Sequence, residues 1–221
     1  MKKTLPIILV LILSIGLLAG CNTQTGKNKA ETKAEIDAKV VSPLPETIDV
    51  NKLDNCTVAV SLEKGDAKLS DSGKMVMDVT VYSYDLYDAV DIASLKENDV
   101  IVRKNEEVTI TEVKRLDTGL VRINGGEENG GFDLISNDST VYYEIGMSDA
   151  KSYNELGKAT LSVSDEFEYI DESDLDAETK VYYPGDFLAD DADIEYNFSP
   201  NNTSIVIENG IIVKMNKVYM P

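Results

Sequence analysis

Short segments of alternating apolar and polar residues, repeated from residue 53 onward, constrain the fold of this chain more than any other feature. The longest, residues 75–84, has Met75, Met77, Val79 and Val81 at alternate positions, and Asp78, Thr80, Tyr82 and Tyr84 on the opposite face. Side chains alternate between the two faces of a strand, so this pattern predicts a strand with one buried face. Comparable runs predict further strands at 56–62, 100–102, 108–111, 120–123, 141–145, 159–163, 167–170, 181–183, 204–207 and 211–213.

Turn residues separate several of these runs. Asn209-Gly210, between two apolar runs, suits the positive φ angles of a type I′ hairpin turn, and residues 116–119 are a second hairpin signal. Ser148 as a cap and Gly157 as a stop predict a short helix over residues 148–156. The number and spacing of the strands predict a mainly β fold, an antiparallel barrel or sandwich with one or two short helices.

The first twenty residues have the layout of an export signal. Lys2 and Lys3 precede an apolar run over residues 5–18. That run is too short for a membrane-spanning helix, which needs about 20 apolar residues. Its flanking charges fit a cleaved signal peptide, which we place at residues 1–20.

Leu18-Ala19-Gly20-Cys21 follows the apolar run directly. This tetrad resembles the lipobox of bacterial lipoprotein precursors, and the resemblance covers residues 1–21. It implies cleavage before Cys21 and a diacylglycerol on its sulfur. Two acyl chains suffice for stable anchoring, because each buried methylene contributes about 0.8 kcal/mol. The resemblance therefore implies a lipid anchor at the cell membrane, with the protein facing outward. The alternative is an ordinary secretory signal with a cysteine near its cut site.

Residues 21–50 are predicted to be a flexible tether for a single β-rich domain at residues 51–221. Residues 22–29 are polar and lack apolar periodicity, and Pro43 and Pro45 favour extended chain. A coil of about 30 residues has a root-mean-square span of about 30 Å, enough to hold a domain above the lipid headgroups. A segment that folds back onto the domain is the alternative.

The charge of the chain limits its partners. It has 40 acidic and 21 basic residues, a net charge of −19, and the excess of acid lies in residues 51–221. Such a domain is repelled by phosphate backbones and anionic headgroups. We therefore expect no nucleic-acid partner and a membrane contact made by the lipid on Cys21 alone.

Histidine is absent from the chain, which removes Ser-His-Asp and Cys-His catalysis and the commonest zinc ligand. Once Cys21 carries lipid, Cys56 is the only other cysteine, so no intramolecular disulfide forms. Cys56 alternates with Val58 and Val60, which predicts a small buried core residue rather than a reactive thiol. We expect no catalytic residues, no cofactor and no metal site.

Two local features bear on ligand binding. The run 124–131 contains Asn-Gly-Gly twice, but Glu127 and Glu128 repel anions, so turns are favoured over a site for a neutral peptide or glycan. Eleven tyrosines include the doublets Tyr142-Tyr143 and Tyr182-Tyr183 and the near pair Tyr82 and Tyr84. One member of each doublet is expected to face inward, and the alternative to packing is a tyrosine-lined binding face.

Residues 165–195 contain thirteen acidic residues and one basic residue, Lys180. A solvated acidic face is the favoured interpretation, and a calcium site built from loop carboxylates is the alternative.

These observations predict a non-enzymatic surface lipoprotein whose β-rich domain has a binding or envelope role. Two alternatives remain open. The first is a carboxylate-pair hydrolase such as a glycosidase, which needs two acids about 5 to 9.5 Å apart across a cleft. The second is a calcium-stabilised binding module.

The lipid anchor is tested by replacing its acceptor. Cys21→Ala should leave an uncleaved or soluble exported protein, because no sulfur remains to carry the diacylglycerol. Cell fractionation after a carbonate wash compares the variant with the wild type. Equal membrane association of a variant whose signal has been removed would contradict lipidation at Cys21.

Overall fold

The computed structural model describes residues 38–136, 138–189 and 192–220. The predicted signal peptide (residues 1–20), Cys21 and the rest of residues 1–37 lie outside the described residues. The described part is mainly β, as predicted, with two short α-helices, α1 (Ala89–Ser94) and α2 (Pro184–Phe187), and three short 3-10 helices. No helix of the described residues has the length and apolar character needed to cross a membrane.

Fifteen strands make up the sheets of the described residues. In chain order they are β1 Val40–Val41, β2 Cys56–Ser61, β3 Ala67–Leu69, β4 Met75–Ser83, β5 Leu86–Asp88, β6 Val100–Arg103, β7 Glu106–Thr109, β8 Val113–Arg115, β9 Val121–Ile123, β10 Phe132–Ile135, β11 Val141–Ile145, β12 Asn154–Glu172, β13 Lys180–Tyr182, β14 Thr203–Glu208 and β15 Ile211–Val218.

Five of these strands form a closed barrel in the order β2, β4, β12, β15, β14 and back to β2. All neighbours are antiparallel except β12 and β15. The 19-residue β12 pairs with β4 through its first half and mainly with β15 through its second half. One long strand therefore closes the barrel. The two strands predicted at 159–163 and 167–170 both belong to β12, with a register shift against β15 between Val163 and Glu168.

The alternating apolar residues fill the barrel. In β4, Met75, Met77, Val79 and Val81 are buried, while the residues between them are half-buried on the outer face. An aromatic group closes part of this core, where Tyr169 packs edge to face against Phe187 and Phe198 at ring centroid distances of 5.4 and 5.6 Å. Edge-to-face contact is the favoured geometry for such rings.

The chain between β4 and β12 forms an insertion with its own core. Its strands lie in two sheets, one with the order β5-β11-β10-β9-β8 and one in which β6 pairs with β7. Ile92, Ile101, Ile123 and Leu134 are fully buried in this second hydrophobic cluster. The Tyr87 hydroxyl donates to the Val102 carbonyl over 2.9 Å, which links the two sheets.

Residues 38–50 are not part of a free tether. Val40 and Val41 pair in parallel with Val100 and Ile101, and Val41 is buried in the core of the insertion. The Leu44 amide donates to the Leu86 carbonyl over 2.6 Å. The domain therefore begins before residue 51, the boundary predicted from the sequence. The reason is that Val40 and Val41 add a strand to the sheet of β6 and β7, which come much later in the chain. This segment follows the alternative in which the chain folds back onto the domain.

The predicted helix over residues 148–156 is wrong. Residues Met147–Asp149 form a single 3-10 turn in which Ser148 and Asp149 have φ angles of 60° and 58°, and β12 begins at Asn154. Gly157, with a φ of 142°, lies at a register shift against β4 instead of ending a helix. Pairing with β4 overrides the local helical signal.

Both predicted hairpin turns are confirmed. Asn209 and Gly210 have φ angles of 52° and 73° between the antiparallel strands β14 and β15, as a type I′ turn requires. Residues 116–119 connect β8 to β9, and the Gly119 amide donates to the Leu116 carbonyl over 3.0 Å.

A buried ion pair lies at the end of the barrel. The Lys217 side chain is 1% exposed, and its Nζ is 3.5 Å from Asp171 Oδ2. Asp171 also accepts hydrogen bonds from the Tyr169 hydroxyl (2.7 Å) and the Ser173 amide (3.0 Å). Partial burial raises the pKa of Asp171, but these hydrogen bonds and the Lys217 ammonium outweigh it, so the pKa lies below its ordinary value.

Asp171→Asn should destabilise the domain by about 3 kcal/mol at pH 7, because it leaves the Lys217 ammonium buried without a counter-charge. A carboxyl with a lowered folded pKa adds stability above its unfolded pKa, about 3.9, and loses it as pH falls through the folded value. The deficit should therefore shrink towards pH 3 in urea unfolding. The exposed Asp174→Asn is the control. Equal losses for both variants, or a deficit independent of pH, would contradict this account.

Candidate binding cleft

A cleft of about 450 Å³ opens on the outer face of the barrel. Its floor is a row of cross-strand neighbours, in which Asn216 faces Ser204, Ser204 faces Ala59 and Ala59 faces Tyr82. Ala59 and Ser204 are small and lie between the larger Tyr82 and Asn216. The row is therefore lowest at its centre, and the cleft follows from side-chain size on an otherwise ordinary sheet surface.

Two chain segments form walls on this floor. Residues 46–48 lie along one wall, and residues 200–203 contribute to another. The Glu46 carboxylate accepts hydrogen bonds from the Ser83 hydroxyl and from the amides of Thr47 (2.8 Å) and Ile48 (2.9 Å). These bonds hold the 46–48 wall against the end of β4 and occupy the Glu46 carboxylate.

Tyr84, Lys151 and Tyr153 form the remaining wall. Together with Tyr143, which packs behind them, we call these residues the tyrosine–lysine cluster. Tyr84 directly follows β4, and Lys151 and Tyr153 directly precede β12. These two connections run side by side because β4 pairs with β12, with Ser83 opposite Asn154.

Polar contacts hold the two connections together. Asn154 Nδ2 donates to Asp85 Oδ1 over 2.9 Å, between the start of β12 and the end of the β4 connection. Lys151 also forms an isolated bridge with Ile145 of β11. The cluster is therefore fixed by the barrel on one side and by the insertion on the other.

Within the cluster, Lys151 lies against tyrosine rings. Its Nζ donates to the Tyr84 hydroxyl over 3.2 Å and lies 4.4 Å from the Tyr84 ring centroid and 5.2 Å from that of Tyr143. Tyr84 packs edge to face against Tyr143 (5.6 Å) and Tyr153 (5.4 Å). Partial burial lowers the pKa of Lys151, but the Tyr84 hydrogen bond and the neighbouring tyrosines outweigh it and raise the pKa. The ammonium is charged at neutral pH.

The structure brings together several of the tyrosines that the sequence singled out. Tyr82 and Tyr84 both line the cleft, and Tyr143 joins the cluster, while Tyr142 packs against the core of the insertion. In the second doublet, Tyr182 stacks on Tyr169 at 5.2 Å and Tyr183 is 55% exposed. The expectation that each doublet divides between inside and outside therefore holds for Tyr182 and Tyr183, whereas Tyr142 and Tyr143 are both half-buried.

No pattern in the sequence marks Lys151, Tyr153, Ala59 or Asn216 as site residues. Lys151 and Tyr153 fell inside the wrongly predicted helix, which hid their position at the start of β12. Ala59 and Asn216 are unremarkable in sequence, because their role depends on which strands become neighbours.

Cys56 lies on the predicted strand face but is only half-buried, at the start of β2. Burial raises the pKa of its thiol, and the nearby Asp54 carboxylate also raises it. The prediction of a fully buried core residue therefore holds for Val58 and Val60 and not for Cys56, which lies where the barrel edge meets solvent.

The glycine run connects β9 to β10 as a turn. Gly126 has a φ of 75°, and residues Glu127–Asn129 form a 3-10 helix. A Cβ at Gly131 would lie 2.0 Å from the Ile123 carbonyl oxygen, so only glycine fits this close approach. The run therefore acts as the turn favoured by the sequence.

Acidic side chains within residues 165–195 make ion pairs and hydrogen bonds with nearby residues of the same stretch. Lys180 Nζ lies 3.1 Å from Asp193 Oδ2, and Asp186 accepts a hydrogen bond from the Tyr183 amide over 2.6 Å at the start of α2. Within the described ranges, which exclude Asp190 and Asp191, no three acidic or cysteine side chains converge as metal ligands.

The carboxyl groups with shifted pKa values bear on the alternative of a carboxylate-pair hydrolase. A general acid of that class needs a raised pKa. The carboxyl groups of Asp49, Asp78, Asp138 and Asp171 depart clearly from the ordinary value, and each has a lowered pKa. A second cleft contains Asp66 and Asp78, but Asp78 is paired with Lys68 and accepts a hydrogen bond from Thr160.

Comparisons with known proteins give no family model that matches the chain, and no similar curated protein or solved structure.

Proposed function

We propose that this chain is an outward-facing membrane lipoprotein, anchored through Cys21, whose β-rich domain binds a ligand in the cleft and has no catalytic role. The observation that carries the binding role is the cleft itself. Small residues, Ala59 and Ser204, form the centre of its floor, and the tyrosine–lysine cluster contributes to a wall. A cleft of about 450 Å³ falls in the usual range for ligand sites, about 300–1,000 Å³.

The chemistry of the lining supports binding of a polar ligand. Thr57, Ser204, Asn201 and Asn216 contribute hydroxyl and amide groups. Tyrosine supplies a large contact area with little conformational entropy to lose, and it combines an apolar ring with a polar hydroxyl. The Glu46 carboxylate is engaged by its own segment and by Ser83, so it does not dominate the charge of the cleft.

The anchor supports the same role. The lipid on Cys21, which the lipobox resemblance implies, would hold the protein at the membrane. The acidic domain itself is repelled by anionic headgroups. The outer surface of the barrel is then free to meet soluble or envelope ligands.

Ala59→Tyr tests the cleft, because a tyrosine at the floor fills it from an outward-facing strand position. The full-length protein in detergent micelles is titrated against two fluorescent mixtures, N-acetyl tripeptides and cell-envelope oligosaccharides. We expect the wild type to bind one mixture and Ala59→Tyr to bind it at least tenfold more weakly.

Ser162→Tyr is the matched control, since Ser162 is an exposed position on β12 outside the cleft. Both variants should unfold within about 0.5 kcal/mol of the wild type, as is usual for surface changes. Wild-type binding of neither mixture, or equal binding by Ala59→Tyr, would contradict the binding role of the cleft.

A further inference from the structure

Lys151 is a half-buried cation without a carboxylate partner among the described residues. Its contacts are the hydroxyl and ring of Tyr84 and the ring of Tyr143. Two other half-buried cations of this acidic domain are paired with acids. Arg103 is bound by Glu144 and Arg122 by Asp133.

The Lys151 ammonium also has unused hydrogen-bonding capacity towards the cleft. An ammonium has three donors, and the described contacts use one of them, towards the Tyr84 hydroxyl. Tyrosine rings attract the charge without accepting hydrogen bonds as a carboxylate does. A partly desolvated ammonium that lines a cleft and has unused donors is suited to bind the carboxylate of a ligand.

The rest of the cleft indicates what the carboxylate is attached to. The floor presents the Asn216 amide and the Ser204 hydroxyl on a row that crosses four strands. The row ends at Tyr82, whose hydroxyl lies 3.1 Å from Ser61 Oγ. Such groups are matched by the amides of an extended peptide backbone, which alternates donors and acceptors.

A glycan fits the cluster less well. Sugars bind to open aromatic faces, whereas Tyr84 packs edge to face with Tyr143 and Tyr153 and has Lys151 over its ring. The cluster is organised to hold a cation, and its rings are not arranged as a flat platform.

From these observations we infer that the cleft binds the C-terminal end of a peptide, with the terminal carboxylate on Lys151 Nζ and the backbone along the floor. This inference rests on the proposed binding role and specifies its ligand class. Lys151 is the specificity-determining residue, because it alone distinguishes a free carboxylate from an amide.

The test compares two mixtures of N-acetyl tripeptides carrying the same uncharged fluorophore, one ending in free carboxylates and the other in amides. Fluorescence anisotropy is measured with full-length protein in detergent micelles, and micelles alone set the baseline. We expect the carboxylate mixture to bind at least tenfold more tightly than the amide mixture. Lys151→Gln should remove this preference and Lys151→Arg should keep it.

Lys158→Gln is the matched control, because Lys158 is exposed on β12 outside this cleft. Equal binding of the two peptide mixtures, or full carboxylate preference in Lys151→Gln, would overturn the inference. Binding of oligosaccharides alone, lost in Ala59→Tyr, would overturn it while leaving the proposed function intact. Binding that Ala59→Tyr does not weaken would overturn both.

Discussion

The pairing of β4 with β12 is the constraint on which the rest of the structure depends. It closes the barrel, since β12 continues past β4 to pair with β15. It also returns the chain to the end of β4 after the whole insertion, so that the connections carrying Tyr84 and Lys151 lie side by side. Barrel closure and assembly of the cleft wall are therefore two consequences of one set of backbone hydrogen bonds.

Charge divides the domain into two kinds of surface. Most of the domain is acidic, and its buried Lys217 ammonium is matched by the Asp171 carboxylate. The cleft differs, because its one carboxylate, Glu46, is held by Ser83 and by its own segment, and its cation lies against tyrosine rings. An acidic surface repels anionic polymers and membranes, while the cleft retains a local positive charge for a small ligand.

Features set by neighbouring residues could be predicted from the sequence, and features set by distant pairing could not. The alternation of residues 75–84 and the Asn209-Gly210 turn depend on a few consecutive residues, and both appear as predicted. The helix predicted at 148–156 failed because pairing with a strand about seventy residues earlier outweighs a local cap and stop. The number of tyrosines was the sign of the cleft in the sequence. Its floor could not be predicted, because it is formed by residues of four strands that become neighbours when the barrel folds.

The most direct test is a cross-link that reports the register of β4 against β12. Thr80 and Lys158 are direct partners, so the Thr80→Cys/Lys158→Cys pair should form a disulfide on mild oxidation in a Cys21→Ala, Cys56→Ser background. In the Thr80→Cys/Thr160→Cys pair the second cysteine lies two residues further along β12, opposite Asp78 instead of Thr80. This pair should form a disulfide far more slowly. Mass spectrometry after proteolysis measures both. Preferential formation of the 80–160 link, or of neither, would contradict the barrel closure and the cleft built on it.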